Sequence, residues 1–339
     1  MAIPYAGSGG AERRLPLPSL LLALLLLAGC AGGPPEEVPE PELEVGGPVE
    51  TPPIDPATIP TPELADRLRE ADQALRDRRY DRAAELYRQL LESMTTSTPT
   101  VETIRASLLE AQFQGRDYDA ALATSEEILE GEPSAATIQR VLERRYEIGL
   151  SFLNGATRRV LGLSVSAEGK GLEILDGLVE KYPFQPFADD ALYHIANFYL
   201  RREDFAEAEQ LFQRLLRDYP QSPWAAMAEY RIGEASLKRL KGVEYDLGTL
   251  ESAERRFKRY LKLNPAGDQA AQARENLAEI EDLRAKRWLK IAEFYLKFEK
   301  EDAARVYLRK LRESHPQSDE GRRAAELLAG LDGGGDAKP

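Results

Sequence analysis

From Pro62 to Leu331 apolar residues recur at helical spacing, in paired segments divided by prolines and short polar breaks. The clearest unit runs from Asp189 to Pro220. Its first segment puts Leu192, Ile195, Ala196, Tyr199 and Leu200 on one face. Its second does the same with Phe205, Ala208, Leu211, Phe212, Leu215 and Leu216. Asp204 and Glu207 stand between them at the spacing of a capping box. Pro220 ends the second helix, since it lacks an N–H donor and pushes Tyr219 out of the helical region. A second unit, closed by Pro316, repeats the pattern with Trp288, Ile291, Ala292, Tyr295, Ala304, Leu308 and Leu311. A third, closed by Pro265, carries Ile232, Gly233, Ala253, Phe257 and Tyr260, with an insertion near Lys241 to Leu250 between its helices. Upstream, Ala83, Tyr87 and Leu90 mark one further second helix, and Ala121, Ile128 and Pro133 another. Between Pro133 and Pro183 lies a longer, degenerate unit with Tyr146, Gly149, Phe152, Leu175 and Leu178.

This layout resembles the tetratricopeptide repeat. Small residues, Ala196 and Ala208, fall where two helices approach, and Tyr199 and Phe212 fill the space beside them. The expectation is an all-α tetratricopeptide-repeat superhelix of about six antiparallel helix pairs, capped by a last helix from Ser318 to Leu331. Each pair has more apolar face than it hides alone, so neighbours stack with a small rotation. The stack offers a concave groove for an extended or helical peptide. That implies binding without saying what is bound.

Ahead of the array the pattern changes. Arg13 and Arg14 precede an apolar run, Leu15 to Ala28, of signal-peptide length and too short to span a bilayer. Directly after it comes Leu27-Ala28-Gly29-Cys30, and Cys30 is the chain's 1 cysteine. A lone cysteine makes no internal disulfide and gathers no thiolate metal site. The stretch resembles the bacterial lipoprotein box. The resemblance implies cleavage of residues 1–29, a covalent lipid on Cys30 in place of any other cofactor, and anchoring by acyl chains. Residue 31 is Ala rather than Asp, which by the same resemblance favours the outer membrane. Residues 30–62 form a linker holding ten of the 22 prolines and Glu36, Glu37, Glu40, Glu42 and Glu44. Such a composition buries no core and reads as an extended tether.

Charge narrows the partners. A net −13 argues against nucleic acid and against a polybasic grip on lipid heads. His194 and His315 are the only histidines, so no metal cluster is expected, and Gly169-Lys170-Gly171 lacks the spacing of a phosphate loop. His194 reads as a helix-surface or packing residue beside Ile195. Asp189 and Asp190 fit a helix N-terminus, where carboxylates favour the dipole. Nothing pairs a nucleophile with a base, and no enzymatic activity is expected.

A narrower likeness covers about residues 140–330. Tyr182-Pro183-Phe184-Gln185-Pro186-Phe187-Ala188 resembles a segment of the BamD family, lipoproteins of the outer-membrane β-barrel assembly machinery. Arg231 and Gly233, the insertion before Ala253 and Phe257, and the helix from Ala285-Lys286 to Ala292-Glu293-Phe294-Tyr295 follow in order. The resemblance implies an outer-membrane lipid anchor facing the periplasm. It implies a scaffold that docks on the barrel-inserting subunit, and a pocket for unfolded barrel clients. Residues 63–133 add helix pairs ahead of the family-like region 134–331, and residues 332–339 form a tail. The alternative is a repeat lipoprotein of another envelope system, a secretin pilotin or a cell-wall synthesis adaptor.

Three groups of residues are candidates for contact. Tyr182, Phe184, Phe187 and Tyr193 would line a peptide pocket if their rings are exposed; otherwise they are packing. Arg284, Lys286, Arg287 and Lys290 form a basic patch that faces an acidic partner or pairs locally with Glu281, Asp282 and Glu293. Arg158, Arg159 and the apolar stretch Val160 to Val165 read as a loop, either touching a partner or lipid heads or tucked against the array.

Overall fold

The computed structural model of the chain describes residues 61–94, 99–160, 162–240 and 247–333, together with Ile54 and Ile59. The expected signal peptide, Cys30, all but a few residues of the linker, Lys241 to Asp246 of the insertion and residues 334–339 lie outside the described residues. Within them run α1 (Pro62–Arg76), α2 (Tyr80–Glu92), α3 (Pro99–Gln114), α4 (Tyr118–Glu130) and α5 (Ala135–Leu153). A hairpin of β1 (Thr157–Val160) and β2 (Leu163–Ser166) follows. Then come α6 (Glu168–Lys181), α7 (Ala188–Arg201), α8 (Phe205–Asp218), α9 (Ala225–Arg239), α10 (Leu247–Leu263), α11 (Ala270–Lys297), α12 (Glu301–Ser314) and α13 (Asp319–Gly333). Consecutive helices make the six expected pairs, from α1/α2 to α11/α12, and α13 closes the array.

Two kinds of connection alternate, each built from backbone hydrogen bonds. Within four pairs the turn uses a left-handed residue: Arg78, Arg116, Glu203 and Glu299, with φ of 60°, 60°, 62° and 55°. The next amide in each case reaches back to the preceding helix. Arg79 N–H donates to the Ala74 carbonyl at 2.8 Å, and Asp204 N–H to that of Tyr199 at 3.0 Å. These bonds satisfy carbonyls that a helix end would otherwise leave bare. The expected capping box is not made, for Asp204 is the N-cap of α8 but its side chain accepts no cap hydrogen bond. The backbone closes this turn instead.

Between pairs a proline loop recurs. Tyr182, Tyr219, Asn264 and His315 each end a second helix, each precedes a proline, and each accepts from the amide three residues on. In three of the loops the residue accepting that role then passes the chain on in the same way. Gln185 accepts from Ala188 N–H, Ser222 from Ala225 N–H and Gly267 from Ala270 N–H, at 2.8–3.0 Å. Proline stops one helix while the bonded turn starts the next.

The third pair departs from this scheme. Where four other pairs turn tightly, α5 and α6 are joined by the β-hairpin, so the segment expected as a loop is ordered strand. Its register pairs Thr157 with Ser166, Arg158 with Val165, Arg159 with Ser164 and Val160 with Leu163, across the turn at Gly162. Gly162 takes a φ of +81°, which an L side chain resists.

Packing is divided into successive cores. One gathers α1, α2 and α3 around Leu68, Leu86, Tyr87, Leu90 and Ile104. Another joins α9, α10 and the first half of α11 around Tyr230, Phe257, Tyr260 and Ile280. A last one joins the second half of α11, α12 and α13 around Trp288, Leu308, Leu311 and Leu328. The sequence pattern suggested a helix beginning near Ala285. Instead α11 is a single helix of 28 residues that serves both cores. Small residues set the closest approaches within pairs: a Cβ on Gly171 of α6 would meet the Gly149 carbonyl oxygen of α5 at 2.8 Å and the Leu153 nitrogen at 2.9 Å.

Candidate interaction surfaces

The four aromatics singled out from sequence do not form one exposed pocket. Phe187 and Tyr193 are 6% and 1% exposed, so of the two alternatives these two rings take packing rather than pocket lining. Phe187 stacks on Tyr146 of α5, centroids 5.3 Å apart, and Tyr193 stacks on Trp224 at 4.1 Å. The two stacks are the same device repeated. A tyrosine of one pair's first helix receives the aromatic at the end of the proline loop leading to the next pair. Trp224 then donates its indole N–H to Asp190, which gives one of the two helix-start carboxylates a packing role. Burial pushes the Asp190 carboxyl up, against the pull of that indole bond. Tyr182 is half-buried. Phe184 is 99% exposed, on a loop held by two prolines and by the bond from Gln185 N–H to the Tyr182 carbonyl at 3.1 Å.

His194 lies beneath the second stack. It is buried edge-on against both Tyr193 and Trp224, with ring centroids 5.6 Å and 6.2 Å away. Burial, helped by the Arg201 charge, lowers its pKa to about 4. The imidazole is therefore neutral at physiological pH and packs as an aromatic. Nearby, Arg231 of α9 is paired with Glu234 at 2.9 Å. Burial opposes the Arg231 charge, but Glu234 beside it raises its pKa overall.

The basic patch divides. Arg284 is largely buried, bound to Glu281 at 2.7 Å and to Glu254 of α10 by a shorter contact. It is a strut between helices. Arg287 is half-buried, while Lys286 and Lys290 are exposed. The exposed pair continues along the helix into two exposed rings, Phe294 and Phe298, whose centroids lie 4.8 Å apart. Lys286, Lys290, Phe294 and Phe298 stand four residues apart, so they form one ridge that runs along α11 onto its C-cap, Phe298. The sequence reading missed the aromatic half of this ridge. Its signal was present, since apolar residues at the two next i+4 steps extend the lysine row.

Among the described residues no group of His, Cys, Asp and Glu is arranged to hold a metal, and no helix is long and apolar enough to cross a membrane. What the array offers is side-chain surface on a stiff frame.

The helix pairs, their turns and their stacked cores define a class: the chain is a tetratricopeptide-repeat protein. Residues 68–136 match the tetratricopeptide repeat family, and residues 163–329 match the family described as YfiO, outer membrane lipoprotein. No curated protein matches the chain. Among solved structures it is similar to a tetratricopeptide repeat protein from Parabacteroides merdae (14% identity, 79% of this chain and 99% of that one, TM-score 0.39). It is also similar to PilW, a type IV pilus biogenesis factor (16%, 78% and 99%, TM-score 0.30). A third is pilF of Pseudomonas aeruginosa (14%, 78% and 96%, TM-score 0.32). Likenesses of this size carry nothing about partners.

Proposed function

We propose that the chain is a BamD-like scaffold of outer-membrane β-barrel assembly, held at the outer membrane by lipid on Cys30 and facing the periplasm. The observation that carries this reading is the match of residues 163–329 to an outer membrane lipoprotein family. The sequence Leu27-Ala28-Gly29-Cys30 supports it by supplying an acceptor for lipid. The role is recognition, with no catalytic step. The partner is the barrel-inserting subunit, and unfolded barrel clients are its cargo.

The ridge on α11 suits a partner surface that is part acidic and part apolar. Lys286 and Lys290 would speed encounter through charge, and Phe294 and Phe298 would supply desolvated contact area. Phe184, presented rigidly on its loop, is a second anchor. The buried Phe187 acts indirectly, by fixing against Tyr146 the end of the loop that carries Phe184, while Tyr193 does the same for the next proline loop through Trp224.

The experiment is affinity purification of the full chain from detergent extracts, with partners identified by mass. Recovery of a barrel-inserting protein, lost when Phe294 and Phe298 are both changed to Ser, supports the proposal. Recovery of a secretin or a cell-wall synthase in its place overturns it.

A further inference from the structure

We propose that β2 is a docking edge for an extended polypeptide, which adds to the hairpin as a third strand. The hairpin replaces a tight turn that suffices in four other pairs, so joining α5 to α6 does not require it. The register fixes which backbone groups are free to pair outward. Val160 and Leu163 flank the turn and exchange hydrogen bonds, and Arg158 and Val165 do so two residues further on. Ser164 and Ser166 therefore direct their N–H and C=O groups to the outer edge of β2.

Among the described residues that edge is open and unguarded. All four residues of β2 are exposed. The β1 side is tied back to the array, with Arg158 bound to Asp119 of α4 at 2.9 Å. Open strand edges are usually blunted with a charge or a proline. In a chain that is 30% charged, β2 reads Leu163-Ser164-Val165-Ser166, with neither. Leu163 and Val165 share one exposed face, the serines the other. The matching occupant is an uncharged strand of alternating apolar and polar residues. Its backbone would pair with Ser164 and Ser166, and its apolar face would extend that of Leu163 and Val165. A second copy of the chain fits poorly, because two four-residue edges would bury far less than the roughly 1,000 Å² a stable dimer needs. The short edge implies weak, exchanging contact, separate from whichever partner docks on α11.

The test uses the full chain with labelled amides and two short synthetic peptides. One alternates valine and serine; the other has the same sequence with an N-methyl group on every residue, so that neither of its edges can pair. The first peptide is expected to shift and protect the Ser164 and Ser166 amides, and the second to leave them unmoved. Ser164→Pro deletes an outward N–H while sparing the hairpin's own bonds, and is expected to weaken binding roughly fivefold to tenfold at an unchanged thermal midpoint. Equal binding of both peptides, shifts confined to the helices, or full binding by Ser164→Pro would overturn the site. A chain that still recovers a barrel-inserting protein while its β2 amides ignore both peptides would sink this inference and leave the scaffold reading standing.

Discussion

The Arg144 guanidinium of α5 meets the Glu110 carboxylate of α3 at 2.8 Å, and the two side chains are 1% and 6% exposed. Glu147 closes on the same guanidinium, and the Phe113 ring lies 4.5 Å beneath it. This sealed network joins the first helices of two successive pairs. Burial raises the Glu147 carboxyl even with Arg144 beside it, so the local charge is costly and depends on complete pairing.

Removing one partner should therefore cost more than removing both. Glu110→Ala leaves the buried guanidinium with Glu147 alone and is expected to lose about 3 kcal/mol, while replacing Glu110 and Arg144 together with leucine and methionine should recover most of it. Urea unfolding followed by circular dichroism reads both values. Equal losses in the single and double variants would refute the coupling.

The contact of α5 with α6 rests on a missing side chain. Gly171→Ala would drive a methyl onto the Gly149 carbonyl and the Leu153 nitrogen, both backbone atoms that cannot rotate away. A loss of about 1–3 kcal/mol is expected. Gly177→Ala on the same helix, where no atom lies within 4 Å, should be neutral or stabilising. Thermal melts of the two variants make the comparison.

His194 sets an acid limit. Its pKa falls from 6.5 unfolded to about 4 folded, so the unfolded chain binds the proton more readily. Its contribution is present above pH 6.5 and drains away as pH falls towards 4. Between pH 7 and pH 5 that amounts to about 2 kcal/mol. His194→Phe keeps an aromatic in the site without the titration. It should flatten this part of the stability profile, measured by denaturant midpoint against pH.

Left-handed turns hold a small reserve. Glu203, at φ 62°, sits where glycine is normally preferred. Glu203→Gly is expected to raise stability by about 0.5–1 kcal/mol, whereas Asp204→Gly one residue later should not. A rise in thermal midpoint for the first alone supports the assignment of this turn.

Much of the array was legible because repeats restate themselves. Ala196, Ala208, Phe212 and Pro220, with their counterparts around Ala292, Ala304 and Pro316, carry both the period and the packing, so six pairs and a cap could be read from spacing. Burial of Phe187 and Tyr193 was not legible, since their stacking partners Tyr146 and Trp224 belong to neighbouring pairs and sequence gives no distance between them. The hairpin was readable in principle: Leu163-Ser164-Val165-Ser166 alternates strictly after a glycine, but a helical template made it look like a loop. The length of α11 was obscured by the same template. Ala270, Ala273, Leu277 and Ile280 already lie on one helical face, and no proline divides them from Ala285. Asp204 and Glu207 illustrate the reverse error, a capping motif whose backbone partner found a better bond.

The scaffold proposal is tested most directly by photo-crosslinking in living cells from residues 184 and 298, both exposed, with residue 193 as the buried control. The account predicts that a barrel-inserting outer-membrane protein is captured from the exposed positions and not from residue 193. Capture of a secretin or a cell-wall synthase from those same positions would contradict it.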